Sequence, residues 1–252
     1  MKSFGFLLFL IAHSTAAEPI LYKNKTLTVA VVDTGFGYHD LGHSAPLCKY
    51  GHKDFSKDSK LSMAYGTKVP VPMDMNSHGT NVAGLIAKYA GNNNYCLVII
   101  KYYSDNQSGD ENYRATVKAF RYAYNLHVDV VNYSGGGDGF KIDEFNAIKK
   151  LLDSKTTIVV AAGNEHNDID SATGAYYPAK YDPRLVVVGN KKISGEKSET
   201  SNWGNSVNHW EFGENQVAYG ITMTGTSQAT AVTTGKMISE GKITVIDRET
   251  HE

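Results

Sequence analysis

The hydrophobic residues of the chain fall into short continuous runs, and the segments between these runs place apolar residues at helical spacing. The continuous runs predict buried β-strands over residues 27–33, 95–103, 128–134, 156–163 and 184–190. The intervening segments predict helices over residues 77–90, 110–126, 140–154 and 226–240, and residues 215–223 fit a hairpin. Buried strands that alternate with helices are typical of a parallel sheet covered on both faces. We therefore expect an α/β fold with three layers, α/β/α, around a mostly parallel central sheet.

Polar residues that can do chemistry stand at the ends of these predicted elements. Asp33 closes the first strand, and Ser134 and Asn164 come at or just after the ends of later strands. The carboxyl ends of parallel strands meet at one edge of the sheet, where such folds bind ligands. His78 and Ser227 stand at the predicted starts of helices, each close to a glycine. Taken singly, the Asp, the His and the Ser would each be explained as a turn or helix-capping residue.

Together, these residue types point to nucleophilic catalysis. A serine hydroxyl is a poor nucleophile until a base takes its proton, and the base needs a carboxylate to orient it and to stabilise its charge. Asp33, His78 and Ser227 supply these three groups. Asn164 adds an amide, which is a good hydrogen-bond donor to a developing oxyanion.

Five segments, in this order along the chain, resemble the motifs of the subtilisin-like serine protease family (subtilases, peptidase family S8). They are VAVVDTG, SHGTNVAG, VVNYSGG, VVAAGNE and GTSQATA, and they extend from Val29 to Ala231. The resemblance implies a serine endopeptidase with a subtilisin-like fold, whose catalytic triad is Asp33, His78 and Ser227. It also implies that Asn164 and the backbone N–H of Ser227 stabilise the oxyanion.

The resemblance further implies a substrate cleft. One edge would pair with the substrate backbone as an added strand through Ser134, Gly135 and Gly136. The small residues there leave room for a large substrate side chain. The segment IIKYYSDNQSGD resembles the other edge, where Tyr102 and Tyr103 either line the cleft or belong to the core. Three residues that follow Asn164 are expected near the specificity pocket, where they would favour basic side chains: Glu165, His166 and Asp168.

The chain departs from the family pattern at several points. Asp33 follows the predicted signal cleavage so closely that no pro-segment fits between them. Asp40 resembles a ligand of the family's calcium site, but the loop that would complete that site is missing, so we predict no metal and no cofactor. Gln228 stands where Met is common, and Ala231 where Pro is common. Neither residue is expected to take part directly in catalysis.

The N-terminus has the pattern of a secretory signal peptide. Lys2 precedes the apolar run 4–12, and small residues follow at 15–17. The apolar run is much shorter than the ~18 residues that a membrane anchor needs. We expect a signal peptide over residues 1–17, a single peptidase domain over residues 18–252, and a secreted or periplasmic protein with no membrane association after cleavage.

The two cysteines, Cys48 and Cys96, bear on the same question of compartment. An oxidising compartment favours one disulfide between them, and the alternative is two separate buried thiols. The sequence cannot give the distance that would decide.

Composition limits the partners of the chain. Its 252 residues are 41% hydrophobic and 20% charged, which suits one globular domain with a sizeable core. The formal net charge of −1 gives no basic field for nucleic acid. The expected partner is therefore a peptide or protein substrate, bound by a monomer.

Two other functions remain open on the sequence. The segment HDLGH, residues 39–43, has two histidines at helical spacing with an acid between them, as in zinc metalloproteases. However, Gly37, Gly42 and Pro46 disfavour the helix that this motif requires. The second alternative is a catalytically inactive protein that uses a subtilisin-like fold to bind peptides.

Overall fold

The structure is a computed structural model, and it describes residues 25–37, 45–57, 61–63 and 70–243. The predicted signal peptide, Asp40 and the HDLGH segment lie outside the described residues.

Helices and strands alternate in the middle of the chain, from residue 78 to residue 161, and on either side of this part several strands follow one another without a helix between them. The strands are β1 Leu27–Asp33, β2 Lys53–Asp54, β3 Leu61–Met63, β4 Pro70–Pro72, β5 Tyr95–Lys101, β6 Val130–Tyr133, β7 Thr157–Ala161, β8 Val186–Lys191, β9 His209–Phe212, β10 Gln216–Ala218 and β11 Ile221–Met223. The helices are α1 His78–Ala90, α2 Gly109–Asn125, α3 Ile142–Asp153 and α4 Thr226–Ser239. Every predicted strand and helix in the described part is present within a few residues. The short strands β2, β3, β4 and β9 were not predicted, because two to four residues carry too little pattern to be recognised.

The central sheet has seven strands in the order β2-β5-β1-β6-β7-β8-β9, and every neighbouring pair is parallel. Strand β1 lies between β5 and β6, so the chain builds the sheet outward from β1 in both directions. Ligands of doubly wound folds bind at the carboxyl edge beside such a reversal of strand order. Asp33, the last residue of β1, stands at this point.

The two faces of the sheet are covered by different pairs of helices. On one face, Val29 and Val31 of β1 pack in a core that contains residues of α1 and α4. On the other face, Ala30 and Val32 pack in a core that contains residues of α2 and α3. The alternation along β1 follows from the period of two in a strand. The predicted three-layer α/β/α fold is confirmed.

A disulfide joins Cys48 to Cys96 and so ties the segment before β2 to the start of β5. The segment is also paired to β5 through a bridge between Leu47 and Leu97. Within the residues that the structure describes, no helix is both long and apolar enough to cross a membrane.

Candidate active site

Asp33 and His78 are hydrogen-bonded at the carboxyl edge of the sheet. Asp33 ends β1 with 3% of its surface exposed, and His78 is the first residue of α1. Nδ1 of His78 donates to Oδ1 of Asp33 at 2.7 Å, and the backbone N–H of Thr34 donates to the same oxygen at 2.8 Å. The buried carboxylate therefore has the partners that its burial demands. The bond fixes the ring so that Nε2 is the nitrogen left for other contacts.

Asp74 fixes the start of α1 from outside the helix. Ser77 precedes the helix in a left-handed conformation, φ 74°, and makes no side-chain cap. Instead, Asp74 accepts five hydrogen bonds, from the backbone N–H groups of Asn76, Ser77 and Thr80 and from the hydroxyls of Thr34 and Thr80. One carboxylate thus satisfies first-turn donors that the helix leaves unpaired, and it places a negative charge at the positive end of the helix.

The electrostatic surroundings of His78 favour its protonated form. Burial of the ring lowers the pKa, but the charge of Asp33, the hydrogen bond to Asp33 and the charge of Asp74 together outweigh burial. The pKa of His78 is consequently raised above its ordinary value of 6.5. An imidazole stabilised in this way can hold a proton taken from a nucleophile.

Gly79 allows β1 and α1 to meet. A Cβ atom on Gly79 would lie 2.4 Å from the backbone oxygen of Gly35, and the N–H of Gly79 donates to Oγ1 of Thr34 at 2.8 Å. The absence of a side chain on Gly79 therefore permits a close approach, which brings the residue after Asp33 against the residue after His78.

Ser227 is the second residue of α4, at the same edge of the sheet. Its hydroxyl donates to the backbone oxygen of Ser134 at 3.0 Å, and the Ser134 hydroxyl donates to the backbone oxygen of Ser227 at 3.0 Å. This reciprocal pair locks the start of α4 to the end of β6. Both residues are described, and no hydrogen bond joins Ser227 to His78. The structure therefore shows two hydrogen-bonded pairs, Asp33–His78 and Ser134–Ser227, without a hydrogen bond between the pairs.

A buried polar chain supports Ser134 and Ser227 from behind. Nδ2 of Asn132 donates to the hydroxyl of Ser134 at 3.2 Å, and Oδ1 of Asn132 accepts from the hydroxyl of Thr234 at 2.8 Å. Asn132 is fully buried in β6, and Thr234 lies in α4. These bonds fix the position of α4 along β6, and so they fix the position of Ser227 relative to the sheet edge.

Asn164 follows β7 and caps α4. Its Oδ1 accepts from the backbone N–H of Thr226 at 2.9 Å, which leaves Nδ2 as the free end of the amide. The preceding turn needs Gly225, whose φ of 150° is rarely adopted by other residues. Among the described residues, neither Nδ2 of Asn164 nor the backbone N–H of Ser227 has a hydrogen-bond acceptor. Two donors are therefore available at the start of a helix, where its dipole also favours an anion.

The unusual Gln228 has a partner in the helix opposite. Its Nε2 donates to Oδ1 of Asn81 at 3.2 Å, and Nδ2 of Asn81 donates to the backbone oxygen of Ile221 at 2.8 Å. Both side chains are buried, with 2% and 0% of their surfaces exposed. The departure from the family pattern at this position thus adds a polar link between α1 and α4. The substitution at Ala231 makes no polar contact and lies buried in the core.

The predicted substrate-binding segment lies beside Ser227. Ser134 is buried, while Gly135 and Gly136 reach the surface. The backbone N–H and C=O groups of both glycines make no hydrogen bond to any described residue, so they are free to pair with another chain. A Cβ atom on Gly136 would lie 2.5 Å from Cε1 of Tyr176, so the ring of Tyr176 lies directly against this glycine.

Tyr102 and Tyr103 line a cleft with a volume of about 360 Å³. Residues 136–139 also line this cleft, and its acidic side chains are Asp110, Asp138 and Glu144. Tyr102 also packs against Tyr133 at 5.4 Å between ring centroids. Both alternatives for Tyr102 therefore hold, because its ring belongs to the core and also faces the cleft.

The residues after Asn164 are occupied with structural contacts. Oε2 of Glu165 accepts from Nδ2 of Asn202 at 2.6 Å, and Nδ1 of His166 is bonded to the backbone oxygen of Glu199. Oδ1 of Asp168 accepts from the backbone N–H of Asp170 at 3.0 Å. Glu165 alone of the three borders the glycines of the site, since its Oε2 would lie 2.5 Å from a Cβ atom on Gly163.

Two supporting residues, Asp74 and Asn132, were not identified from the sequence. Asp74 stands a few residues before the predicted helix, a position where an acidic helix cap could have been considered. Asn132 interrupts the apolar run VDVVNYS, and a polar residue inside a buried strand needs a hydrogen-bond partner. In the part of the chain that the structure describes, no group of three or more His, Cys, Asp or Glu side chains is placed to hold a metal ion.

Comparison with known proteins assigns this arrangement to a family. The model of the subtilase family matches residues 24–238 of the chain. The chain is 30% identical over 230 residues to the major intracellular serine protease of Bacillus subtilis, covering 85% of this chain and 68% of that protein. It is 29% identical over 229 residues to cerevisin of Saccharomyces cerevisiae, covering 84% of this chain and 32% of that protein.

A solved structure agrees with the sequence matches. The crystal structure of a cold adapted subtilisin-like serine proteinase superposes with a TM-score of 0.64 at 27% identity, covering 83% of this chain and 72% of that chain. The chain therefore belongs to the subtilase family of serine-type endopeptidases.

Proposed function

We propose that the chain hydrolyses peptide bonds through an acyl-enzyme, with Ser227 as the nucleophile, His78 as the general base and acid, and Asp33 as the carboxylate that orients His78. The observation that carries this proposal is the 2.7 Å hydrogen bond between His78 and Asp33 at the sheet edge where α4 presents Ser227. The raised pKa of His78 supports it, because the imidazole must become positively charged when it accepts the hydroxyl proton.

The reaction begins when the Ser227 hydroxyl turns from the Ser134 carbonyl towards Nε2 of His78. A serine hydroxyl changes direction by rotation about its side-chain bonds, and catalytic hydrogen bonds are often absent or long until substrate binds. His78 takes the proton as Oγ attacks the carbonyl carbon, and it then gives the proton to the leaving amine. A water molecule, deprotonated by the same imidazole, releases the acyl group.

The tetrahedral intermediate carries its negative charge on the former carbonyl oxygen. Nδ2 of Asn164 and the backbone N–H of Ser227 are the free donors at the start of α4, and we assign them to this oxygen. The bond from the N–H of Thr226 to Oδ1 of Asn164 supports the assignment, because it fixes the orientation of the amide and leaves Nδ2 unpaired. Donors that are already oriented need no reorganisation when the charge develops.

The substrate is a peptide or protein in extended conformation. The unpaired backbone of Gly135 and Gly136 is suited to pair with it as an added strand, which gives affinity without reading side chains. We further propose that the protein is exported, although the relative from B. subtilis is described as intracellular. The disulfide between Cys48 and Cys96 supports export, because such bonds persist in oxidising compartments.

Replacing the nucleophile tests the proposal. Ser227→Ala should lower kcat by roughly 10⁶-fold, the size of the loss in subtilisin itself, because the triad acts as a unit. Hydrolysis of a casein substrate and covalent labelling by a fluorophosphonate probe would be measured on the full chain. The wild type should be labelled at Ser227 and the variant should not. Absence of labelling in the folded wild type would instead favour the catalytically inactive peptide-binding protein.

A further inference from the structure

Two loops flank the nucleophile at the sheet edge. The loop after β6 contributes Ser134, whose carbonyl accepts from the Ser227 hydroxyl at 3.0 Å. The loop after β7 contributes Asn164, whose Oδ1 accepts from the N–H of Thr226 at 2.9 Å. A scissile carbonyl placed between Ser227 and Asn164 lies between these loops. The side chain of the residue that carries this carbonyl therefore has to enter the space between them.

The ring of Tyr176 spans this space. A Cβ atom on Gly136, in the first loop, would lie 2.5 Å from Cε1 of Tyr176. A Cβ atom on Gly163, in the second loop, would lie 2.9 Å from Cε2 of the same ring. Cε1 and Cε2 are on opposite edges of a tyrosine ring, so one edge faces each loop. The two glycines leave room for this ring, and the ring in turn takes the room between the loops.

Three hydrogen bonds hold the backbone at Tyr176 and Tyr177. The next residue, Tyr177, exchanges two hydrogen bonds with Gly137, at 2.8 and 2.9 Å. The backbone oxygen of Tyr176 accepts from the N–H of Lys180 at 3.1 Å. A large substrate side chain could displace the ring only by breaking its packing against these fixed segments.

The obstruction is steric rather than electrostatic. Burial, followed by the charges of Glu165 and Glu144, raises the pKa of Tyr176 well above 10.0. The phenol is therefore neutral wherever the proposed His78 base is active, and the obstruction should not depend on pH in that range.

We propose that Tyr176 determines specificity by restricting the residue on the acyl side of the scissile bond to small side chains, namely Gly, Ala and Ser. This inference rests on the proposed function, since it presupposes that Ser227 attacks a peptide carbonyl. It adds a substrate class: protein segments in which a small residue precedes the cleaved bond. The glycines of the first loop then serve to seat the ring rather than to admit a large substrate side chain.

Matched chromogenic substrates test the proposal. Two blocked tetrapeptide p-nitroanilides that differ only in the last residue, Ala or Phe, would be assayed with the full-length protein. The wild type should favour Ala by at least about tenfold in kcat/KM, the scale on which a shaped pocket discriminates. Tyr176→Gly should raise kcat/KM for the Phe substrate at least ~10-fold, because the ring no longer fills the space.

Two further variants serve as controls. Tyr176→Phe keeps the ring and removes only the hydroxyl, so it should retain the preference for Ala. Tyr50→Gly makes the same change as Tyr176→Gly at a residue that is 81% exposed, and it should leave both rates as in the wild type.

The outcomes separate this proposal from the function on which it rests. If fluorophosphonate labels Ser227 and the wild type cleaves after Phe as fast as after Ala, Tyr176 does not set specificity, although the protease function stands. The same conclusion follows if Tyr176→Gly is labelled but gains no activity on Phe. If the folded wild type is neither labelled nor active on either substrate, the proposed function fails and the specificity proposal fails with it.

Discussion

The helices α1 and α4 begin at the same edge of the sheet, each with a candidate catalytic residue in its first turn, but they are capped by different chemistry. In α1 the cap is the carboxylate of Asp74, which accepts from the N–H groups of Asn76, Ser77 and Thr80. In α4 the cap is the neutral amide of Asn164, which accepts from the N–H of Thr226. Neither helix is capped by the side chain of the residue before it.

The difference matches the charge that each helix start has to accommodate. His78 at α1 becomes positive in the proposed reaction, and a nearby carboxylate stabilises that charge. The oxyanion beside α4 is negative, and a carboxylate there would repel it and cancel the positive end of the helix dipole. A neutral cap satisfies the N–H of Thr226 and leaves the dipole available. The same structural task is thus done by an acid where a cation forms and by an amide where an anion forms.

Among the changes that test this comparison, exchanging the neutral cap for a charged one should have the largest effect on kcat. Asn164→Asp preserves the shape of the side chain and the acceptor for Thr226, but it replaces the Nδ2 donor by a negative oxygen. Asn164→Ala, the matched control, should lower kcat by ~10²–10³-fold, as loss of this donor does in subtilisin. The kcat of Asn164→Asp should be lower still, because its negative oxygen repels the oxyanion in addition to the loss of the Nδ2 donor. Equal kcat values for the two variants, with fluorophosphonate used to count active sites, would show that the charge of the cap is unimportant.

The sequence predicted the positions of the candidate catalytic residues better than it predicted their supports. Asp33, Asn164 and Ser227 stand at boundaries between apolar runs and turns, and such boundaries are visible locally. The bond from Thr34 to Asp74 joins segments 40 residues apart, and no local pattern reports it.

Tyr176 illustrates the same limit for specificity. Its own segment gives no sign that the ring lies between Gly136 and Gly163, since that placement depends on how three loops meet. Gly136 was recognised from the sequence as part of the substrate-binding segment, but an absent side chain shows only that something approaches closely. Whether that neighbour is a substrate or a ring of the same chain is decided by the fold.

Neutralising the charged cap, Asp74, should have a smaller effect, which appears in the dependence of kcat/KM on pH. The charge of Asp74 helps to raise the pKa of His78, so Asp74→Asn should move the acidic limb of kcat/KM to lower pH. The neutral imidazole is the active base, and a lower pKa makes it available at lower pH. Glu196→Gln, which removes an exposed carboxylate, is the control and should leave the limb in place. An acidic limb that stays in place in Asp74→Asn would argue against the coupling.

The stability of the folded chain should change with pH in the opposite sense to activity. The pKa of His78 is raised on folding, so its pairing with Asp33 contributes fully to the free energy of unfolding below pH 6.5. That contribution is lost as the pH rises through the raised pKa, which is the range in which the neutral base appears. Denaturant unfolding of the wild type and of His78→Ala across this range would measure the difference, which should diminish as the pH rises.

Removing the hydrogen bond that links α1 and α4 should have the smallest effect, which is on the free energy of unfolding. Gln228 of α4 donates to Asn81 of α1, and a double-mutant cycle of Asn81→Ala and Gln228→Met isolates this bond from the other contacts of each side chain. A neutral hydrogen bond of this kind typically contributes about 0.5–1.5 kcal/mol, so the coupling in the free energy of unfolding should lie in that range. Gln228→Met alone should destabilise the fold, because it leaves Oδ1 of Asn81 buried without a donor. A coupling near zero would mean that packing alone, rather than this bond, sets the position of Ser227's helix relative to that of His78.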